Sequence, residues 1–166
     1  MAVYIALGSN LGDREQNLRE ALGLLPPLVA VEAVSALYES KPQSPAPPPD
    51  YLNAACRVAT ELAPHDLLQY LKDIERRLGR VPGPRWSPRP IDLDIALYDG
   101  LVLEEQDLVI PHPRLLERNF VLQPLLDLDS SLVHPRSGEK LADVLAKVGK
   151  EGLKLFLQPG WNLPGP

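Results

Sequence analysis

Residues 85–98 read RWSPRPIDLDIALY, a basic, proline-containing segment that runs directly into a short strand pattern. Successive strand residues point to opposite faces, so Asp92 and Asp94 should project together from one face. The other face should enter the core through Ile91, Leu93, Ile95 and Leu97. Aspartate is unfavourable in strands, and carboxylate oxygens suit a hard cation. The pattern therefore predicts a metal-binding strand, with a solvated strand face and incidental acids as the alternative.

Positive charge is concentrated just before this strand. The chain has a formal net charge of -5, yet residues 76–89 contain no acid and five arginines, Arg76, Arg77, Arg80, Arg85 and Arg89. The guanidinium group offers a planar set of donors to phosphate oxygens, and the Gly/Pro content of 79–90 predicts a loop that can close over a ligand. A solvated basic loop is the alternative for the arginines alone. Joined to the carboxylate pair, they favour phosphoryl transfer.

Hydrophobic periodicity predicts an α+β fold around the aspartate strand. Strands are expected at 3–7, 29–39 and 51–62. One helix should begin with an Asp13–Gln16 capping box, and a second should cover 64–78. The order strand, helix, strand, strand, helix, strand predicts a ferredoxin-like core, a mainly antiparallel sheet flanked by helices.

The connections and the ends of the chain carry separate predictions. Residues 42–49 are rich in proline and should form a stiff loop, and Asp99–Gly100 should form a tight hairpin turn. A single domain is expected over residues 1–157. The tail 158–166 has no periodic pattern and should be irregular, with Trp161 as its possible anchor to the core.

Composition places the chain among ordinary enzymes. Its 166 residues suffice for one domain with a sizeable core, and its acidic balance argues against a general nucleic-acid binder. No apolar run is long enough to cross a membrane and no leader pattern is visible, so an unprocessed cytoplasmic protein is predicted, as a monomer. The single cysteine, Cys56, follows two alanines in a strand and should be a buried, inert thiol.

Two further groups of residues have chemistry that suits a ligand. Glu75 falls within the apolar stripe of the second helix, where a carboxylate must find a partner, and Arg76 or Arg77 at the edge of the stripe could supply it. A flat, amide-like heterocycle needs aromatic faces and a side chain that both donates and accepts hydrogen bonds. Such groups are supplied by Tyr51, Asn53 and Phe120, for which two core aromatics and a structural asparagine are the alternative.

Four blocks of the chain carry a family resemblance. They are residues 4–12 (YIALGSNLG), 50–54 (DYLNA), 85–95 (RWSPRPIDLDI) and 110–121 (IPHPRLLERNFV). In this order they resemble the 6-hydroxymethyl-7,8-dihydropterin pyrophosphokinase family. The resemblance covers about residues 3–146 and implies the ferredoxin-like fold. It also implies transfer of the diphosphoryl group of ATP to the hydroxymethyl group of the pterin, with ATP as co-substrate and two Mg²⁺ ions as cofactors.

The resemblance also implies the roles of particular residues. Catalysis and metal binding would use Arg80, Arg89, Asp92 and Asp94. Nucleotide contacts would come from Lys72, Glu75, Arg80, Trp86, Arg89, Ile95, His112 and Arg118. Pterin contacts would come from Gly8, Ser40, Tyr51, Asn53 and Phe120. On sequence alone a lone histidine such as His112 is more often structural, and Trp86 could equally be a hydrophobic anchor.

Two other classes of function are compatible with parts of the pattern. A metal-dependent phosphohydrolase could use the same aspartates and arginines without any pterin. A ferredoxin-like RNA-binding module is the second alternative, but the net acidity and the lack of an aromatic-rich strand motif count against it.

Overall fold

The computed structural model of the protein describes residues 2–41, 50–79 and 90–163. Predictions that concern the 42–49 loop, Arg80, Arg85, Trp86 and Arg89 lie outside the described residues. The strands are β1 (Val3–Ser9), β2 (Val29–Val34), β3 (Leu37–Ser40), β4 (Tyr51–Thr60), β5 (Asp92–Tyr98), β6 (Leu103–Glu104), β7 (Val109–Ile110) and β8 (Leu153–Leu157). The helices are α1 (Arg14–Leu24), α2 (Pro64–Arg77), a 3₁₀ turn (Leu115–Glu117), α3 (Asn119–Leu128) and α4 (Leu141–Val148).

The main sheet is antiparallel, with the strand order β5–β1–β4–β3–β8. β2 also pairs with β4, beyond the end of β3, and β6 and β7 form a separate two-stranded ribbon. Taking β2 and β3 together, the chain order and the strand order are those of a ferredoxin-like core extended by β8. The predicted fold class is therefore confirmed.

The predicted strand 29–39 is wrong as a single element, because it breaks between β2 and β3. At the break, the Ser35 hydroxyl oxygen accepts a hydrogen bond from the backbone N–H of Ala55 at 2.9 Å. The Ser35 N–H donates in turn to the Ala55 carbonyl. The Ser35 hydroxyl thus takes the place of a backbone carbonyl as the acceptor for Ala55. The register of β2 along β4 shifts shortly before the break, between Val31 and Ala33. The sheet is interrupted without leaving this pair of backbone groups unsatisfied.

Helices cover both faces of the sheet and create two hydrophobic cores. α1 and α2 pack on one face, where they form the larger core with alternate residues of β1, β4 and β5. α3 and α4 pack on the other face around Tyr4, Ala55 and Leu97. Cys56 lies in the larger core, where burial raises the pKa of its thiol to about 12. Its predicted burial is confirmed, and the raised pKa agrees with an inert thiol.

A bulge in β5 corrects the predicted alternation of that strand. Ile91, Leu93 and Ile95 enter the larger core as expected, but Leu97 lies in the core under α3 and α4. The β1–β5 register shifts between Tyr4 and Ile5, so that Ala96 is the extra residue on β5. An extra residue reverses the faces of the side chains that follow it.

Local signals explain where the first two helices begin. The Asp13 carboxylate accepts from the Gln16 backbone N–H at 3.1 Å, and α1 starts at the next residue after Asp13. α2 begins at Pro64, whose missing N–H is not needed in a first turn. The predicted hairpin at Asp99–Gly100 is wrong. Those residues turn the chain, with Asp99 at φ 52°, but β5 pairs with β1 and not with β6.

The chain end packs against the sheet through Trp161. Its indole ring is buried in the larger core, and Nε1 donates to the Ser35 carbonyl at 2.8 Å. The guanidinium of Arg19 lies 6.0 Å from the ring centroid. Trp161 therefore covers the break between β2 and β3 from the α1 side. Among the described residues, no helix has both the length and the apolar character needed to span a membrane.

Candidate functional site

The two aspartates lie on the open end of the α3 face of the sheet. Asp92 is half-buried, and the Asp94 side chain is 53% exposed. In the β1–β5 ladder they stand opposite Gly8 and Ala6, which bring no bulky side chain between them and the next strand. Residues two apart in a strand have Cα atoms roughly 7 Å from each other. Both carboxylates can therefore approach one ion or one pair of ions.

A cleft of about 330 Å³ opens beside these aspartates, along the outer edge of β5. Carboxylates, lysine and arginine side chains and one imidazole line this cleft. The lining residues are Leu68, Lys72, Glu75, Asp92, Leu93, Asp94, His112, Pro113, Arg114 and Arg118. The structure thus brings together the predicted metal ligands and most of the predicted nucleotide contacts among the described residues. Carboxylate oxygens could hold Mg²⁺ while the cations bind phosphate oxygens.

Glu75 connects α2 to the edge of β5. Its side chain is buried, and Oε2 accepts a hydrogen bond from the Leu93 backbone N–H at 2.7 Å. This N–H points away from β1 and would otherwise have no partner in the ladder. The carboxylate also lines the cleft. The arginine beside it, Arg76, forms an ion pair with Asp73.

His112 covers the same strand edge one step further along. Its backbone N–H donates to the Ala96 carbonyl at 3.0 Å, and its Nδ1 accepts from the Arg114 N–H at 3.2 Å. Burial lowers the pKa of the imidazole, an effect that Asp94 opposes and that Arg118 and Arg114 reinforce. The neutral ring then carries its proton on Nε2, which lies 4.0 Å from Oδ2 of Asp94.

The predicted pterin residues gather at the end of β1, β3 and β4. Gly8 stands opposite Asn53 in the β1–β4 ladder, and a Cβ added to Gly8 would lie 3.4 Å from Asn53 Oδ1 and 3.5 Å from a Tyr51 ring carbon. The Asn53 amide donates to the Ser40 hydroxyl at 2.6 Å. Both polar side chains are buried. Glycine therefore leaves a narrow space in front of the amide, next to an aromatic face.

Two further predicted residues, Phe120 and Ile95, lie on opposite sides of the sheet. Phe120 lies in the first turn of α3, which packs over β4 and β3, and its ring centroid is 5.5 Å from the Arg118 guanidinium carbon. Ile95 is buried in the larger core, so its side chain does not line the cleft. Only the backbone of Ile95 is left for a ligand contact.

Arg114 lines the cleft but was absent from the residues predicted for the site. A signal was present in the sequence, because Arg114 follows the rigid Pro111–His112–Pro113 segment that carries a predicted contact. A basic residue two positions from His112 on such a segment is confined to the same region. The structure adds that its N–H fixes the His112 ring.

Comparisons with known proteins place the chain among relatives. Residues 4–130 match the family described as 7,8-dihydro-6-hydroxymethylpterin-pyrophosphokinase. The 2-amino-4-hydroxy-6-hydroxymethyldihydropteridine pyrophosphokinase of Bacillus subtilis is 41% identical over 157 residues, which are 93% of this chain and 90% of that protein. The enzyme of the same name from Haemophilus influenzae is 42% identical over 139 residues, covering 82% and 87% of the two chains.

Other relatives are much longer. The folic acid synthesis protein FOL1 of Dictyostelium discoideum is 46% identical over 133 residues, which are 80% of this chain but 20% of that protein. This chain spans about a fifth to a quarter of the first curated relatives that it matches. A crystal structure of Plasmodium falciparum HPPK-DHPS with pterin and p-hydroxybenzoate superposes with a TM-score of 0.72 at 16% identity, covering 93% of this chain and 44% of that one.

Fold and cleft together define a ferredoxin-like α+β protein whose candidate site combines a carboxylate pair with cationic side chains. The family match extends over most of the chain, and one bacterial relative matches over nearly its whole length. The chain belongs to the 7,8-dihydro-6-hydroxymethylpterin-pyrophosphokinase family.

Proposed function

We propose that this protein transfers the diphosphoryl group of ATP to the hydroxymethyl oxygen of 6-hydroxymethyl-7,8-dihydropterin. The products are AMP and the pterin diphosphate used in folate biosynthesis. Family membership supports the reaction, and the pairing of Gly8 with both Asp92 and Asn53 supports the location of the site. Because neighbouring strands lie about 4.8 Å apart, the Asp92 and Asn53 backbones are about 10 Å apart across the sheet. A bicyclic acceptor with its hydroxymethyl arm spans this separation.

The nucleotide is assigned to the cleft at the edge of β5. Lys72, Arg114 and Arg118 supply cations that attract the triphosphate. The neutral His112 ring supplies an N–H from Nε2 without adding a charge next to Asp94. Arg80, Arg89 and Trp86, outside the described residues, are proposed to join them on the phosphates and the nucleotide.

Asp92 and Asp94 are proposed to hold two Mg²⁺ ions. The donor set fits, since both groups offer hard oxygen ligands on one face of a strand and line the cleft that would hold the triphosphate. Bound Mg²⁺ would neutralise phosphate charge and align the β-phosphorus with the acceptor oxygen. The acceptor oxygen forms a bond to the β-phosphorus, the α–β bridging oxygen leaves with AMP, and the hydroxyl proton is released.

The acceptor is assigned to the pocket formed by Gly8, Ser40, Tyr51, Asn53 and Phe120. Asn53 uses its amide N–H₂ on Ser40, so its Oδ1 is directed towards the space at Gly8, where it can accept from ring N–H groups. Tyr51 and Phe120 provide aromatic surfaces for the flat ring. Placing the acceptor here puts its hydroxymethyl arm towards Asp92.

The test is AMP formation from ATP that depends on the pterin. Purified protein with ATP, MgCl₂ and 6-hydroxymethyl-7,8-dihydropterin should form AMP and pterin diphosphate in equal amounts. Reactions without the pterin should leave ATP intact. Release of phosphate or pyrophosphate in the absence of the pterin would contradict the proposal and indicate a phosphohydrolase.

A single domain over residues 1–157, a monomeric state and a cytoplasmic location are part of the same proposal. The small-molecule nature of both substrates agrees with an enzyme that needs no macromolecular partner for its chemistry. Light scattering after size exclusion would check the monomer, and fractionation of cells would check the location.

A further inference from the structure

Arg14 holds two strand ends together on the side of the sheet opposite the acceptor pocket. Its Nη1 donates to Oε2 of Glu39 at 2.8 Å and to the Asp50 carbonyl at 2.7 Å. Glu39 lies at the end of β3, and Asp50 immediately precedes β4. The guanidinium carbon also lies 5.9 Å from the ring centroid of Phe156 on β8. One side chain therefore connects α1 with β3 and β4, the strands that carry Ser40, Tyr51 and Asn53.

Ser40 and Tyr51 form the last pair of the β3–β4 ladder. The end of a ladder lacks the next pair of hydrogen bonds and is the part most prone to local opening. Glu39 and Ser40 point to opposite faces because they are neighbours in a strand. A contact that fixes Glu39 from the α1 side therefore also fixes Ser40, and with it Asn53, on the acceptor side.

The position of Arg14 in its own helix does not account for its presence. It is the first residue of α1, where the helix dipole disfavours a positive charge. Both polar contacts are long-range in sequence, and the Arg14 and Glu39 side chains are only 22% and 27% exposed. Nη1 supplies both hydrogen bonds while the planar guanidinium lies near the Phe156 ring, a combination that a lysine ammonium reproduces only in part.

We propose that Arg14 is a positioning residue that sets the affinity for the pterin by holding the β3–β4 end in register, an inference that rests on the proposed function. Among the described residues, no hydrogen bond or ion pair joins Arg14 to the acceptor pocket, and it acts through Glu39 and the Asp50 carbonyl. Its loss should weaken acceptor binding without changing nucleotide binding, because the cleft at the edge of β5 lies across the sheet from β3.

The test compares Arg14→Gln, Arg14→Lys and Glu39→Gln with the wild-type protein. Pterin affinity is measured by fluorescence in the presence of Mg²⁺ and the α,β-methylene analogue of ATP, whose bridge cannot be cleaved. Arg14→Gln should weaken pterin binding about tenfold or more, Arg14→Lys should recover only part of the loss, and affinity for the analogue should be unchanged. Arg57→Gln, which breaks the Arg57–Glu32 ion pair elsewhere on the sheet, is the matched control and should bind both ligands normally.

The outcomes separate this inference from the proposed function. If the wild-type protein does not bind the pterin at all, both are overturned. If the wild-type protein binds it and Arg14→Gln binds it equally well, the role of Arg14 is overturned and the proposed function stands. A parallel loss of pterin and nucleotide affinity in Arg14→Gln would also overturn it, because that result indicates a general structural role.

Discussion

At the scale of single residues, the proposed function depends on two carboxylates that lie outside both hydrophobic cores. Asp92 and Asp94 project from the sheet without entering either core, and Asp94 is more than half exposed. Their replacement should therefore leave the packing intact. A strand that keeps two acids next to a cationic cleft is suited to bind a metal complex of a polyphosphate.

Asp92→Asn and Asp94→Asn should each reduce transfer by a factor on the order of a hundred or more, because each removes a charged oxygen ligand for the metal. The rate of AMP formation at saturating MgCl₂ measures the effect. Asp107→Asn, at an exposed position away from the cleft, is the control and should retain full activity. Near-normal rates in either strand variant would refute the assignment of the metal ligands.

Asn53 is the residue that most directly tests the acceptor pocket. Asn53→Ala should weaken pterin binding by about 1–3 kcal/mol, because polar groups of the bound ring would lose their partner. Titration calorimetry in the presence of an inert ATP analogue measures the change. The affinity for the analogue itself serves as an internal control, and an unchanged pterin affinity would contradict the placement of the pterin.

At the scale of elements, the outer edge of β5 forms hydrogen bonds with α2 and with the 111–114 segment in place of a further strand. Glu75 from α2 accepts from Leu93, and the backbone of His112 donates to Ala96. An open edge strand is prone to pair with other chains, so these contacts protect it. The same contacts bring α2 and the 111–114 segment together as two walls of the cleft.

Glu75→Leu should destabilise the protein by about 1–3 kcal/mol, because it leaves the Leu93 N–H buried without an acceptor. Glu75→Gln keeps a side-chain oxygen at the same position and should lower the free energy of unfolding by less than Glu75→Leu. Urea unfolding followed by circular dichroism gives both values. Equal stability of the leucine variant and the wild type would show that this hydrogen bond does not hold the strand edge.

The turn between α3 and α4 gives a pH-dependent prediction. Nδ1 of His134 accepts from the backbone N–H groups of Arg136 and Ser137, and burial lowers the pKa of this imidazole from its ordinary value of 6.5 despite the opposing effect of Glu139. Below pH 6.5 the unfolded chain therefore binds a proton that the folded chain does not. The contribution of His134 to the free energy of unfolding should be fully present above pH 6.5. It should decrease as the pH falls from 6.5 towards the pKa of His134 in the folded protein.

His134→Asn should remove this part of the pH dependence, because an asparagine oxygen can accept from the same turn without titrating. The measurement is the free energy of unfolding of both proteins between pH 5 and pH 8. Parallel pH profiles for the two proteins would assign the effect to other groups.

At the scale of the whole molecule, one residue near the end of the chain completes the larger core. Trp161→Phe removes the hydrogen bond to Ser35 and should lower the free energy of unfolding by about 0.5–1.5 kcal/mol. Trp161→Ala also leaves a cavity and should lower it by about 3–5 kcal/mol. Thermal and urea unfolding would rank the variants. If both were as stable as the wild type, the chain end would be dispensable for the fold.

The sequence by itself determined the class of fold and most of the candidate site. Alternation in the aspartate strand predicted Asp92 and Asp94 on one face, and the periodicity of α2 singled out Glu75 as a buried acid. The order of elements was sufficient for a ferredoxin-like core. These features depend on local spacing, which is written directly in the chain.

Tertiary structure alone decided the features that depend on partners distant in sequence. At the break between β2 and β3, Ser35 bonds to Ala55 and to Trp161, and the reversal of Leu97 follows from the register of the pairing with β1. Glu75 had two possible partners on sequence grounds, and folding brought it to the edge of β5. Arg14 shows the same limit most clearly, because its two acceptors lie 25 and 36 residues away and no local pattern connects them. Spacing along the chain predicts which face a side chain occupies, whereas the group it meets there is set by the packing of elements that are remote in sequence.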